Sequence, residues 1–336
     1  MNSRSVTGVG LFLALGCGLV GARTEWQMRG ALVYVDNLFE YSPADLEAFR
    51  NRADPARFPI NTADDLGATL EFSFSRRFRT AGRGTLLNLR TRLYGYVSNP
   101  TKSYGILTIL VSQGLTATSR ASLSFLYIPN YLIRHFRDPT TVGVYAACAF
   151  TEHLFTARVR QQVGTVTLEP RYRFEIDSYV QPFGFYDTHA HRPGAELDWE
   201  VLRGLGLALD YEYKRASAQG PVPDISYSQH RGELKVLTRP RRLVRFSLET
   251  GLSLARRQFT TANTGAVDPG HAGRVDLLEG ISVEACYRIS QTTLTAGYES
   301  EWREVSSPYS EKIEDIKNYR AGRFSVGVTL TAAGRS

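Results

Sequence analysis

Cysteine is scarce in this chain of 336 residues: Cys17, Cys148 and Cys286 are all it has. The first lies in an N-terminal segment that reads as a leader, and a disulfide scaffold needs more than the two that would then be left. Long apolar runs are missing as well. Beyond the N-terminus no stretch approaches the roughly twenty apolar residues that a spanning helix requires, which excludes a helical membrane protein. Lysine is confined to Lys102, Lys214, Lys235, Lys312 and Lys317, so arginine carries most of the formal charge of +7. Those arginines sit between acidic residues along alternating segments rather than in one patch, which argues against nucleic acid as a partner despite the basic balance. Catalytic and ligand motifs are missing too. There is no Gly-x-Ser-x-Gly elbow, and Gly204-Leu205-Gly206 lacks the third glycine and following helix of a phosphate-binding loop. The close histidine pair His189 and His191, after Phe185-Tyr186-Asp187, has no third or fourth ligand beside it and reads as a solvated loop. No metal and no cofactor is expected. A hydrolytic grouping of Asp187, His189 and Ser228 can be drawn, but no ordered motif supports it.

The N-terminus is informative. Arg4 and then an apolar stretch from Val9 to Val20, too short to span, end in Val20-Gly21-Ala22, with small residues where a signal peptidase cuts. Residues 1-22 are therefore expected to be a cleaved signal peptide and 23-336 the mature domain. Ala14-Leu15-Gly16-Cys17 faintly resembles a lipoprotein box but lacks Leu three positions before the cysteine, so lipidation of Cys17 is the lesser reading.

The main signal is alternation with period two down the whole chain, the pattern of a sheet with two unlike faces. In 165-177, Val166, Leu168, Tyr172, Phe174 and Ile176 take one parity while Glu169, Arg171, Arg173, Glu175 and Asp177 take the other. No water-soluble core tolerates so many charges along one face of a strand. The pattern returns as Leu197, Trp199 and Val201 against Glu196, Asp198 and Glu200, then as Leu207, Leu209 and Tyr211 against Asp210, Glu212 and Lys214. Strands are expected near 24-35, 67-79, 85-98, 103-113, 119-132, 142-162, 164-177, 188-202, 204-216, 227-238, 241-258, 275-289, 291-305 and 319-331. Tight turns near 80-84, 114-118, 163, 203, 239-240 and 290 alternate with longer loops near 36-66, 133-141, 178-187, 217-226, 259-274 and 306-318; the loop at 99-102 is short among the long ones. An even strand number with short turns on one rim and long loops on the other is the arrangement of bacterial outer-membrane barrels. The expected fold is all-β, a transmembrane antiparallel up-and-down barrel of about fourteen strands. Turns and both termini would be periplasmic and the longer loops extracellular. Segments of ten to fifteen residues suit a tilted span, and closure pairs every backbone amide that hydrocarbon would otherwise strand. Trp26, Tyr34, Tyr127, Tyr131, Trp199, Tyr211, Tyr213, Tyr298 and Trp302, near segment ends, suit interfacial girdles.

From the leader through the alternating strands to residue 331 the chain resembles the porin-like bacterial outer-membrane β-barrels, including first-loop features such as Asp36-Asn37-Leu38-Phe39 and Ser42-Pro43-Ala44-Asp45. It departs from the usual terminal signal of those barrels, a final Phe, by carrying a polar tail from Thr331 to Ser336. The resemblance implies passive passage of small polar or charged solutes, with membrane lipids, lipopolysaccharide and the barrel-insertion machinery as partners. Two other roles stay open: a conduit exporting a surface polysaccharide, or a structural anchor for a periplasmic or surface partner. A barrel hydrolase is a third and weaker reading.

If the charged parity faces inward, the lumen is lined by Arg90, Arg92, Arg158, Arg160, Arg171, Arg173 and Arg245. The facing acids are Glu169, Glu175, Asp177, Glu196, Asp198, Glu200, Asp210, Glu212, Glu249, Glu284, Glu299 and Glu301. Such walls set the selectivity of an open pore. They could equally close on one another as cross-strand pairs, for instance 171-173 against 196-200. Fourteen strands lie on the open side unless a loop plugs them. The first loop is the candidate plug. Ser42 as cap, Pro43 and Asp45 predict a short helix over 43-51, placed either inside the pore or on the cell surface. A second short helix is expected in 310-315. The arginine-rich turns at Arg76, Arg77, Arg79 and Arg83, and at Arg239, Arg241 and Arg242, would face the periplasm, against anionic head groups or simply as a soluble rim.

Overall fold

The computed structural model describes residues 23–220, 222–240, 243–309 and 313–334. The expected leader, Cys17, Arg241, Arg242 and Ser310 to Lys312 lie outside the described residues. Fourteen antiparallel strands follow in chain order: β1 (Arg23–Val35), β2 (Asp65–Thr80), β3 (Arg83–Tyr96), β4 (Tyr104–Gly114), β5 (Ser119–Arg137), β6 (Tyr145–Val163) and β7 (Val166–Tyr179). The second half is β8 (Thr188–Leu202), β9 (Leu205–Ala218), β10 (Tyr227–Thr238), β11 (Phe246–Phe259), β12 (Val275–Ile289), β13 (Thr292–Ser306) and β14 (Tyr319–Gly334). Each strand pairs with its sequence neighbours and β1 pairs with β14, so the sheet closes on itself without an edge. Two helices lie in the long loops, α1 (Pro43–Arg50) and α2 (Ile313–Lys317).

The register fixes which side chains share a face. Glu71 stands opposite Arg92, Glu169 opposite Glu196, Glu196 opposite Asp210, and Glu249 opposite Glu284, so within each of these strand pairs the charged residues share one face. Arg29 on β1 reaches Glu284 on β12, across the two intervening strands β14 and β13, at 3.3 Å, and that contact is open only to side chains pointing into the lumen. The other parity is apolar and faces out: Leu32, Leu123 and Val326 are 62%, 67% and 66% exposed. A belt of bare Leu, Val and aromatic side chains around a closed sheet is what a bilayer solvates and water does not.

Short turns are built where the chain must reverse in two residues. Ala81 and Gly82 both have positive φ (51° and 76°), the requirement of the twist-matched hairpin turn. At Gly204 (φ 90°) a Cβ would meet the Arg239 carbonyl oxygen at 2.5 Å, so glycine is needed there twice over. The turn before β11 is longer than the sequence suggests. Pro240 has no amide to continue the ladder, and amides of Leu243 and Phe246 bond back to Pro240 and Leu243, delaying the strand to Phe246. A bulge at Asn130 (φ 49°) shifts the β5 register between Ile128 and Tyr131. Tyr131 is thereby turned inward against Tyr104 and Lys102, not outward into a girdle. Trp26, Tyr34, Trp199 and Tyr211 do project outward and exposed.

The first loop folds into the barrel. Asn37 staples its start, accepting from the Tyr41 amide at 2.9 Å and donating to the Tyr41 and Arg320 carbonyls at 2.8 and 2.9 Å. Ser42 caps α1 by accepting from the Asp45 amide at 3.1 Å. Leu38, Phe39, Tyr41 and Phe58 then pack against Val33, Val35, Leu132 and Ala149 of the strands. Each buried aromatic contributes roughly 2 kcal/mol. The cysteines are free, Cys148 buried and Cys286 partly so.

Candidate functional site: the charged lumen

The densest part of the lumen is a lattice of ions over β6 to β9. Arg171 bonds Asp210 through both terminal guanidinium nitrogens, one of them at 2.7 Å, and lies 3.7 Å from Glu212 and 3.8 Å from Glu196. Its partners are therefore mainly on β9, one strand beyond the β8 acids that the sequence pattern suggested. The reason is Gly194, which stands opposite both Arg171 and Glu212 and leaves no side chain between them. Glu212 is the hub: it accepts from Arg173 at 2.7 Å and from Arg192 at 2.6 and 2.9 Å. Glu175 holds the other end of Arg192 and takes Lys214 at 2.5 Å. Toward the short turns, Arg158 pairs with Glu169 at 3.2 Å and Arg160 with Asp198 at 3.5 Å. Side chains of Arg171, Glu175 and Glu212 are about 95% buried in this lattice, so these charges brace the wall more than they meet solvent.

The facing wall is open. Along β11 to β14 the inward positions include Gly251, Ser253, Gly280, Ser282, Gly297 and Ser325, and small side chains there leave a cavity of about 370 Å³. Glu249, Glu284, Glu299 and Glu301 border it from one side, Arg231 and Lys235 from the other. A second cavity, about 600 Å³, lies at the short-turn rim between Arg160, Glu196, Asp198, Glu200 and Arg239 and shares Lys235 and Glu249 with the first. Glu249, Glu299, Arg231 and Lys235 are exposed or half-exposed to this space.

The long-loop half is closed by the first loop and its anchors. Asp45 is buried between Arg57 and Arg134, the latter at 3.7 Å. Burial pushes its carboxyl above the usual range, with both guanidiniums pulling the other way. Lys102, in the turn before β4, donates to the carbonyls of Leu132 and Ile133 at 2.7 and 2.9 Å and lies against the rings of Phe39 and Tyr131. Burial lowers its ammonium to about 8. Lys317 at the end of α2 lies over Phe136 and is also pushed well below its ordinary value by burial.

The structure places Arg90, Arg92, Arg158, Arg160, Arg171, Arg173, Glu175, Asp177, Glu196, Asp198, Glu200, Asp210, Glu212, Glu249, Glu299 and Glu301 on the inward parity. Arg245 is different: it precedes β11 in the short turn and is exposed at the rim, because the turn through Pro240 delays the strand. His189 and His191 belong to β8, not to a loop, and face outward. Among the described residues no hydrogen bond joins Asp187, His189 and Ser228; Asp187 accepts from the Tyr179 amide at 2.6 Å. No group of three metal-ligating side chains is present among them either. Sequence reasoning missed Arg192, Arg231, Glu233 and Lys235. Arg192 could have been found by stepping back in twos from Glu196 through Gly194, but Pro193 and Gly194 interrupt the pattern there.

No family model and no curated protein matches the chain. Solved structures do. The outer membrane channel DcaP of Acinetobacter baumannii is 12% identical with a TM-score of 0.50, covering 93% of this chain and 97% of that one. OmpT of Vibrio cholerae is 9% identical with a TM-score of 0.47, covering 93% and 97%. An anion-selective porin from Comamonas acidovorans is 8% identical with a TM-score of 0.48, covering 93% and 99%. At 12% identity the likeness to DcaP carries the fold alone, a closed β-barrel of the porin-like outer-membrane kind.

Proposed function

We propose that this chain is an outer-membrane channel through which small polar or charged solutes pass by diffusion, with its short turns and both termini in the periplasm. The observation that carries this reading is the joined pair of cavities inside the barrel, lined by exposed charges of both signs and surrounded outside by a bare apolar belt. The lattice over β6 to β9 stiffens one wall, and Glu249, Glu299, Arg231 and Lys235 supply the field that a solute meets. The inward first loop supports a constriction under the long-loop rim. Channel rather than enzyme is favoured because the inward charges face one another along a passage without converging on a nucleophile. Membrane lipids and the insertion machinery are the partners that such a barrel requires.

The test is single-channel recording of detergent-folded protein in a planar bilayer, comparing the wild type with E249Q/E299Q. Steady conductance is expected, and removing two exposed acids should move the cation-to-anion permeability ratio toward anions by about twofold. Unchanged selectivity would remove both residues from the passage. The packed first loop also favours a second reading, a closed barrel acting as anchor or export conduit, and a well-folded protein that never conducts would select it.

A further inference from the structure

Two arrangements on the outer face repeat one another. Tyr172 on β7 hydrogen-bonds Nδ1 of His191 on β8, and Arg215 on β9 stands directly opposite His191. Two strands on, Tyr211 on β9 hydrogen-bonds Nδ1 of His230 on β10 at 2.8 Å, and Arg256 on β11 stands directly opposite His230. In both the tyrosine precedes its histidine by 19 residues. All six side chains are exposed and on the apolar, outward parity.

Their level is the upper boundary of the belt. On β11 the outward residues from Phe246 to Leu254 are apolar apart from Thr250, and Arg256 and Gln258 follow. Nine residues rise ~27 Å along a strand, or ~20 Å along the normal at a tilt of ~40°, close to the height of one apolar band. On β9, Leu205, Leu207 and Leu209 lead up to Tyr211, Tyr213 and Arg215 in the same way. Each motif thus stands where acyl chains end and head groups begin. Glu279 on the neighbouring β12 accepts from the Trp302 indole through one oxygen, and among the described residues the Arg256 guanidinium hydrogen-bonds Gln258, at 3.3 Å.

A tyrosine hydroxyl donating to Nδ1 leaves Nε2 as the N–H of the ring. Beside it the guanidinium fork adds further donors, so each motif offers donors without an acceptor, which suits a phosphate monoester. The motifs are two strands apart, ~10 Å across the sheet. We propose that the Tyr172–His191–Arg215 and Tyr211–His230–Arg256 motifs together bind the head group of a bisphosphorylated glycolipid of the lipid A type, one phosphate to each, with its acyl chains on the leucines below. The proposal rests on the lipid-facing reading of this surface, and conductance of the same preparation tests that reading separately.

Delipidated protein is titrated in detergent with bisphosphoryl lipid A, monophosphoryl lipid A and inorganic phosphate, and complexes are counted by native mass spectrometry. Bisphosphoryl lipid A should form a one-to-one complex, the monophosphoryl form should bind about tenfold more weakly, and R215Q/R256Q should lose at least tenfold with conductance unchanged. Should R215Q/R256Q not fold, R215K/R256K, which keeps charge and loses the fork, should still weaken the complex. Wild-type retention by a folded variant, equal binding of both lipids, or displacement of the lipid by millimolar inorganic phosphate would each overturn it.

Discussion

The two halves of the lumen are held by different forces although the same strands run through both. On β1 the inward face carries Glu25, Gln27 and Arg29 toward the short turns and Val33 and Val35 toward the long loops. On β6 it changes from Arg158 and Arg160 to Phe150 and Cys148. The long-loop half is packed like the core of a soluble protein, with the first loop as its second layer. The other half is an ionic lattice with water beside it. In the first, a few buried charges act as pins in apolar material, and losing a pin frees a loop. In the second the charges are themselves the wall, and losing one leaves its neighbours repelling each other.

The largest effect is expected at the hub of the lattice. Glu212 takes hydrogen bonds from Arg173 and Arg192 and lies 3.7 Å from Arg171, with its side chain only 4% exposed. E212A leaves three cations without their shared acceptor and should cost about 3–5 kcal/mol, because a broken buried pair strands the remaining charge. The readout is the denaturation midpoint of the folded barrel, followed by its heat-modifiable mobility. A variant as stable as the wild type would mean that water already neutralises this wall.

Next comes the pin of the first loop. D45A removes the partner of Arg57 and Arg134 and should release α1 from the wall at a cost of about 2 kcal/mol, the penalty of leaving a buried guanidinium unsatisfied. Larger and noisier conductance steps are expected, with new protease cleavage within residues 43–60. Wild-type steps with intact protease resistance would show that apolar packing alone holds the loop and that the two halves differ less than their residues suggest.

Most of the barrel was legible because one rule, alternation, is imposed twice, by lipid outside and by water inside. The strand number, the order of short and long connections and the parity of charge all follow from it. What was hidden depended on third partners. Arg171 reaches past β8 because Gly194 is there, a fact carried by the register between strands rather than by the order along one. The inward course of the first loop rests on Val33, Val35 and Leu132, which read in isolation as ordinary strand residues. Tyr131 and Arg245 were displaced by a bulge and by a proline, local breaks that shift parity or delay a strand without changing composition.

The smallest single step, one pH unit, sharpens the comparison most cleanly, because it isolates one charge inside the packed half. Lys102 is 6% exposed, and burial lowers its ammonium to about 8 from an ordinary 10.5. With a folded value below the unfolded one, the unfolded chain binds more protons between about pH 8 and 10.5, so stability rises with pH across that window and is flat below it. The slope should be roughly 1 kcal/mol per pH unit, read as the difference in unfolding free energy between the wild type and K102M so that other groups cancel. The two carbonyls that Lys102 meets, Leu132 and Ile133, belong to the same bulged strand that carries Arg134. A difference that stays constant from pH 7 to 10.5 would mean that water reaches the ammonium and that the packed half is wet at its edge.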